Sequence, residues 1–432
     1  MKVLVIGSGG RDHAIAWSFA RSPRVKQLYV AHGNAGIAET ATCVAAKTIE
    51  EMADFAEKER IDLTFVGPEK PLSAGIVDLF EERGLPIVGP NRMASRLESS
   101  KCDTKQMLRE LGIPIPEFAV FSDPGKARDY VRSVGHPVVV KADGLAAGKG
   151  SLVCGSVEEA ERAIRDIMEE RNFGDAGARV VIEKRLYGRE LSFFCFTDGY
   201  TLIPMVAAQD YKRARDNDEG KNTGGMGSFS PHPWLDDALV RKIMDEVAEP
   251  LIRGVREKFG ILYKGVLYLG LMLVSEGGKV APQVLEINIR LGDPEAQVIL
   301  PRLETDLVDV CEAILTGRLR EIDPVWDPAY RLCLIATSGL TRGKKGWYKG
   351  YPDRYKIGVP MSGMEGIDPS SCLVFHSGTE RDGTGQWITT GGRVLCIVSS
   401  AATLAAAREI AYREMGKVSF EGMYYRSDIG KE

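Results

Sequence analysis

Across residues 1–100, short apolar runs at 3–6, 28–30, 63–66 and 87–88 alternate with helical stretches such as 13–21 and 49–58. Strands separated by helix-length segments are joined by crossovers and not hairpins, so this order predicts a parallel, doubly wound sheet in an α/β chain. Ligands of such a sheet gather beyond the carboxyl ends of its strands, where the loops GSGGRDH, HGNAG and GPEKPL fall. The first loop invites a dinucleotide reading. Against it, Asp12 stands where GxGxxG needs its third glycine, and the second strand ends at Ala31 and His32 without an acid to hold a ribose. A phosphate held by backbone N–H groups and Arg11 survives both objections, while an NAD-linked oxidoreductase stays as a rival class.

A chain of 432 residues exceeds what one core fills, and it reads as four blocks: 1–100, 101–190, 191–325 and 326–432. The second opens with a helix that ends at Gly112, after which Pro114 and Pro116 enforce an extended exit. The third holds the charged, glycine-rich loop QDYKRARDNDEGKNTGGMGSFSP and one long amphipathic helix over 236–259. The fourth alternates strands with a helix over 404–415 and shows no chemistry-bearing cluster, so a structural or substrate-covering role is expected. A net charge of -4 gives no electrostatic reason to expect nucleic acid or a membrane as partner. Eight scattered cysteines without a CxxC pair read as reduced thiols of a cytoplasmic enzyme, and five histidines without HExxH spacing argue against a zinc hydrolase. The N-terminus runs directly into a strand with no signal-peptide pattern, and no apolar run reaches the roughly 18 residues of a membrane helix.

In VVVKADGLAAGKGS a β-branched strand runs into Lys141 and then into a small-residue loop. Gly144, Gly148 and Gly150 free the backbone to aim N–H groups at an anion, and Lys141 and Lys149 add charge. Walker A spacing fails, because Gly150 and not Ser or Thr follows Lys149. The composition suits phosphate handling; a flexible connection between strands is the alternative it leaves open. The segment VLEINIRLGDPEAQ is more demanding. Strand alternation puts Leu285, Ile287 and Ile289 on one face and Glu286, Asn288 and Arg290 on the other. Glu286 and Asn288 offer the hard oxygen ligands that magnesium prefers, with phosphate oxygens to complete the shell, and Arg290 would hold a phosphoryl or carboxylate group. A half-exposed edge strand with a surface ion pair is the plainer reading, but it leaves the turn Gly292, Asp293, Pro294, Glu295 without a reason.

Together KADGLAAGKG, FGDAG, NTGGMG and RLGDPEAQ resemble the phosphoribosylamine-glycine ligase family of the ATP-grasp superfamily, and the likeness runs from GSGGRDHAIAW to FEGMYYRSDIG. The resemblance implies a Rossmann-like N-terminal domain (1–100), an ATP-grasp core of two α+β subdomains (101–190 and 191–325) and a small C-terminal α/β domain (326–432). It also implies joining of glycine to 5-phosphoribosylamine with ATP, through glycyl phosphate, with Mg2+ or Mn2+ as cofactor and only small molecules as partners of a monomer or weak homodimer. Another ATP-grasp ligase, or a carboxylase of the purine pathway using bicarbonate, is the alternative.

Carried over by resemblance, Lys101 and Lys141 meet phosphates, and the loop with Gly144, Gly148, Lys149 and Gly150 forms a lid. Glu183, Lys184 and Leu186 meet adenine, and Glu190 the ribose. Glu286 and Asn288 fall on the metal ligands. Lys141, Arg290 and Asp293 fall on the reacting end, beside Gly292, Pro294 and Glu295. Asp210, Lys212 and Gly225 belong to the region that receives glycine, and Gly9, Gly10, Arg11 and Asn34 to the one that holds the 5-phosphate. The chain departs from the family's usual motifs at Asp12, His32, Lys184, Tyr211 and Leu291, and its segment 337–352 diverges from the family's GYPxxY pattern. Phosphorylating a carboxylate makes phosphate the leaving group, so no side-chain nucleophile is required. The metal assignment predicts that Glu286→Gln lowers ATP turnover about a hundredfold or more. Turnover near the parent's, with metal dependence intact, overturns the assignment.

Overall fold

The computed structural model describes residues 1–145, 150–342 and 348–431. Its N-terminal sheet is wholly parallel, with strands in the order β3 (Thr42–Val44), β2 (Gln27–His32), β1 (Lys2–Gly7), β4 (Leu63–Val66) and β5 (Ile87–Val88). Helices α1 (Gly10–Ala20), α2 (Ile49–Glu59), α3 (Glu69–Ala74) and α4 (Ile76–Glu82) make the crossovers, as the alternating pattern requires. Strand order reverses beside β1, and the loops after β1 and β4 therefore open on one crevice. Helices α5 (Arg92–Ser99) and α6 (Lys101–Glu110) follow; Ser100 caps α6 by accepting from the Asp103 N–H. Gly112, at φ +70, lets the chain leave the helix toward Pro114.

A separate antiparallel sheet has the order β6 (Phe118–Phe121), β9 (Val180–Lys184), β7 (Val138–Ala142), β8 (Ser151–Cys154). One face is covered by α7 (Pro124–Ser133) and α8 (Val157–Ile164), whose Ala127, Val131, Ala160 and Ile164 pack on Val138, Val140, Val180 and Ile182. The central sheet runs β11 (Leu202–Pro204), β10 (Arg189–Thr197), β16 (Gly265–Glu276), β17 (Lys279–Asn288). Alternation splits it as β periodicity demands: Leu191, Phe193, Leu269 and Leu271 share one core with Val247, Leu251 and Val255, while Phe194, Phe196 and Tyr268 share another with Ile15, Phe19 and Val310. The helix expected over 236–259 is α9 (Asp237–Ile243) and α10 (Glu249–Phe259) joined by a π-helical turn over Met244–Ala248. Pro250 lacks the N–H that an α-helix there needs, and the wider turn absorbs the defect.

The sheet of the C-terminal segment borrows strands from earlier in the chain. Short strands β12 (Gln209–Asp210) and β15 (Gly227–Ser230), with the hairpin of β13 (Arg213–Arg215) and β14 (Glu219–Asn222) between them, lead into β18 (Tyr330–Thr337) and then the strands Arg393–Ala401 and Cys372–His376. Helix α13 (Leu404–Met415) packs on this sheet; α11 (Ala296–Ile299) and α12 (Leu307–Thr316) lie against the N-terminal unit. Among the described residues no helix is long and apolar enough to cross a membrane, and the eight cysteines are free thiols. Phe19, fully buried and edge-to-face with Phe65 at 6.0 Å, ties α1 to the parallel sheet. Phe19→Ala is expected to cost about 3–5 kcal/mol in urea unfolding; a loss under 1 kcal/mol overturns that role.

Candidate active site

The sheet of β6 to β9, the central sheet and the loops of the N-terminal unit enclose a cleft of about 1240 Å³. Two lysines meet one carboxylate on its wall. Lys141 Nζ donates to Glu183 Oε2 at 2.9 Å, and Lys105 Nζ lies 3.2 Å from Glu183 Oε1. Both ammonium groups also donate to β17 carbonyls, Lys141 to Leu285 and Lys105 to Val284, each at 2.9 Å. Burial pushes the Glu183 carboxyl up, but the two cations outweigh it and hold it ionised. Burial brings Lys105 down to about 8, helped by Lys141 and opposed by Glu183. Sequence reasoning named Lys101, which also lines the cleft, and did not name Lys105. In this conformation Lys101 Nζ donates to the Gly144 carbonyl at 2.9 Å, tying α6 to the start of the glycine loop.

Strand β17 does not keep the alternation expected of VLEINI. Gly270 pairs with Glu286 and Leu271 with Val284, so Leu285 is an extra residue in a β-bulge. Its side chain lines the cleft instead of joining Ile287 and Ile289 in the core, and its carbonyl reaches Lys141. Gly270 leaves room for this, since a Cβ there would stand 2.9 Å from Glu286 Cγ. Glu286 and Asn288 both line the cleft. Lys212, 3.4 Å from Glu286 Oε1, outweighs burial and with Lys141 holds the Glu286 carboxyl down at about 2. Lys212 also lies 3.6 Å from Glu190 Oε2. Asn288 is 8% exposed, its Oδ1 accepts from Arg290 at 3.3 Å, and its amide nitrogen is buried without a partner. The ionised Glu286 carboxylate and the Asn288 Oδ1, engaged only by the 3.3 Å contact with Arg290, offer oxygen ligands that fit a hard cation taking its remaining oxygens from phosphate, while the free amide N–H groups suit a phosphate oxygen. Among the described residues no group of three or more His, Cys, Asp or Glu side chains is placed to hold a metal alone.

Arg290 is more engaged than the sequence suggested. Nη2 donates to Glu98 Oε1 at 2.8 Å, Nε to Glu69 Oε2 at 3.2 Å, and Nη1 to the Leu291 carbonyl at 3.2 Å. Both carboxylates come from the N-terminal unit: Glu69 lies in the GPEKPL loop expected at the ligand-bearing strand ends, whereas Glu98 carried no sequence signal. Burial raises Glu98, with Arg290 opposing, whereas for Glu69 burial is outweighed by Arg290 and Arg11, which hold it at about 2. Asp293 Oδ1 accepts from Gln297 at 2.7 Å and Oδ2 pairs with Arg393 at 2.9 Å. Burial opposes its charge, but Arg393 prevails and keeps it low. Arg393, which sequence reasoning did not name, lines the cleft from the C-terminal sheet, consistent with a segment that covers the site. Glu295 is 2% exposed and accepts from Tyr268 at 2.6 Å and Ser192 at 3.1 Å, which fixes the turn from below. Asp210 makes no side-chain hydrogen bond among the described residues, and burial, reinforced by Glu295, raises it well above the carboxylate range.

Arg11, Lys184, Leu186, Glu190 and Gly150 also line the cleft, whereas Gly9, Gly10, Asn34, Gly144, Gly225, Gly292 and Pro294 are not among its lining residues. In the loop after β1 the Asp12 Oδ2 accepts from the N–H groups of Ser8 and Gly9, each at 2.8 Å, so a side chain occupies donors expected for a phosphate. Asn34 donates to the Ser8 and His376 carbonyls and accepts from Gly36 and Ile37, a staple between the first and last sheets. Gly148 and Lys149 lie outside the described residues.

Comparison with known proteins gives three consecutive matches to phosphoribosylglycinamide synthetase: its N domain over 1–98, its ATP-grasp (A) domain over 99–296 and its C domain over 348–432. Phosphoribosylamine-glycine ligases of Halalkalibacterium halodurans and Pseudomonas aeruginosa are each 45% identical over 434 residues, covering 100% of this chain and 97% of theirs. The crystal structure of phosphoribosylamine-glycine ligase from Thermotoga maritima superposes with a TM-score of 0.84 at 32% identity, covering 99% of this chain and 100% of that one. The biotin carboxylase domain of the Hydrogenobacter thermophilus 2-oxoglutarate carboxylase, with TM-score 0.73, 18% identity and coverage of 98% and 91%, shares the fold.

The Lys105, Glu183, Lys141 group generates a test of its own. Glu183→Gln leaves two buried ammonium groups without a carboxylate and is expected to destabilise the chain by about 3–5 kcal/mol at neutral pH. The sign follows from Lys105, whose folded pKa of about 8 lies below its ordinary value of 10.5. That burial cost is fully present below about 8 and is lost as pH rises, because the folded lysine is then neutral. Removing Glu183 depresses Lys105 further, so the difference between variant and parent should shrink as pH rises through about 8 in urea titrations. A pH-independent difference overturns the pairing.

Proposed function

The chain belongs to the phosphoribosylglycinamide synthetase family, and from that premise we propose how its own residues join glycine to 5-phosphoribosylamine with ATP in purine biosynthesis. The observation that carries the reading is the single cleft in which two cationic side chains on Glu183, a Glu286 and Asn288 pair and the GDPE turn all meet. ATP enters beside Lys184 and Leu186 with its ribose toward Glu190. Lys105 and Lys141, already charged and aimed by Glu183, receive its phosphates. Glu286 and Asn288 would hold a divalent metal, Mg2+ or Mn2+, which would supply positive charge to the phosphate oxygens.

Glycine lies by Asp210 and Lys212, where its carboxylate meets the γ-phosphoryl group. Arg290 cannot swing freely, being held by Glu69 and Glu98. A guanidinium fixed before substrate arrives stabilises developing charge without reorganising, and that is worth more than a mobile one. Transfer gives glycyl phosphate and ADP. The amine of phosphoribosylamine, entering from the side of Arg11, attacks the acyl carbon and releases phosphate. The eight free thiols suit a reducing cytoplasmic setting.

ADP release is expected to need glycine and phosphoribosylamine together and to ignore bicarbonate. A coupled assay omitting each in turn decides it: ADP release driven by bicarbonate without glycine overturns this reading in favour of a carboxylase.

A further inference from the structure

Besides the Asn288 amide, two polar groups in the cleft keep unused hydrogen-bonding capacity, one a carboxyl and the other a guanidinium. Asp210, on β12, makes no side-chain hydrogen bond among the described residues. Its Oδ1 is packed beneath Gly225, whose missing Cβ would stand 2.7 Å away. Gly225, at φ +106, is the residue that lets the NTGGMG loop come this close. Arg393, at the start of the strand Arg393–Ala401, is the second group. Nη1 donates to the Gly224 carbonyl at 2.7 Å and the Asp293 carbonyl at 2.8 Å, and Nη2 donates to Asp293 Oδ2 at 2.9 Å. These contacts use the edge formed by the two terminal nitrogens. The other edge, Nε with the second Nη2 hydrogen, has no partner among the described residues, and the side chain is 20% exposed. That edge is the one that takes a carboxylate bidentately.

We propose that Arg393 is a substrate-binding residue, its open edge taking the carboxylate of the amino acid while Asp210 takes the ammonium group, with Gly224 and Gly225 spacing the two as a receptor for a small zwitterion. The inference rests on the reading that glycine is the acyl substrate, and it adds a cation from the C-terminal sheet to the site. Its chemistry suits the step: a carboxylate about to accept a phosphoryl group carries negative charge toward negative charge, and a fixed guanidinium on it lowers that repulsion. Arg393 is braced by backbone on one edge, so its position does not depend on the ligand. Asp210 and Arg393 both pack on the dipeptide Gly224 and Gly225, where a Cβ on Gly224 would stand 3.2 Å from Arg393 Cζ and one on Gly225 2.7 Å from Asp210 Oδ1, so two residues without side chains let both groups come to the same loop.

The test is calorimetric titration of glycine into the full chain holding a non-hydrolysable ATP analogue, for the parent, Arg393→Gln and Arg393→Lys, with affinity for the analogue measured alongside. Arg393→Gln is expected to weaken glycine at least tenfold and Arg393→Lys to fall between, with nucleotide affinity within twofold of the parent. Asp210→Asn is expected to weaken glycine with the same selectivity. Unchanged glycine affinity in Arg393→Gln overturns the proposal, and so does an equal loss of glycine and nucleotide binding, which marks a purely structural role. If the parent itself binds no glycine, the acyl-substrate reading fails first, and with it this inference.

Discussion

Glu183 is the interaction from which the cleft is organised. Two ammonium groups cannot be buried side by side without an anion, and this carboxylate, 2% exposed, supplies it to Lys105 and Lys141. The three side chains come from α6, β7 and β9, so a charge requirement fixes how the first helix after the N-terminal unit meets the antiparallel sheet. Both lysines then donate to backbone carbonyls of β17, which carries the same constraint to the strand holding Glu286 and Asn288. The β6–β9 sheet, α6 and β17 are thus tied by hydrogen bonds that converge on one wall of the cleft.

A second set of charges does for the reacting end what Glu183 does for the nucleotide. Arg290 is held by Glu69 and Glu98 from the N-terminal unit, and Asp293 by Arg393 from the C-terminal sheet. The N-terminal unit and the C-terminal sheet therefore both place charged side chains at one turn, GDPE, whose floor is fixed by Glu295 on Tyr268 and Ser192. Such an arrangement spends little reorganisation when charge develops during phosphoryl transfer, because its dipoles and ions are already oriented. It also makes the site a property of the whole chain and not of the ATP-grasp segment alone.

Much of this was legible without coordinates wherever the signal was local. The parallel sheet followed from the alternation of short apolar runs with helices, and the helix over 404–415 and the exit at Gly112 from periodicity and a positive-φ glycine. Lys141, Glu286 and Asn288 were legible because each lies in one strand with its loop. The bulge at Leu285 was not, since it is set by the partner strand, where Gly270 lets Glu286 lie across it. Residues 236–259 read as one helix by periodicity, and the π-helical turn before Pro250 was not foreseen, since its form depends on the packing that holds both halves in line.

The sequence by itself determined the family, through motifs that each lie within one local segment, and with it the class of chemistry. Only the tertiary structure decided which charges serve that chemistry. Lys105, Glu69, Glu98 and Arg393 stand on ordinary helix and strand positions, where a charged residue usually means solvent. Burial against a partner from a distant segment changes that meaning, because in a low-dielectric cleft an ion is held only by the specific counter-ion that the fold brings to it.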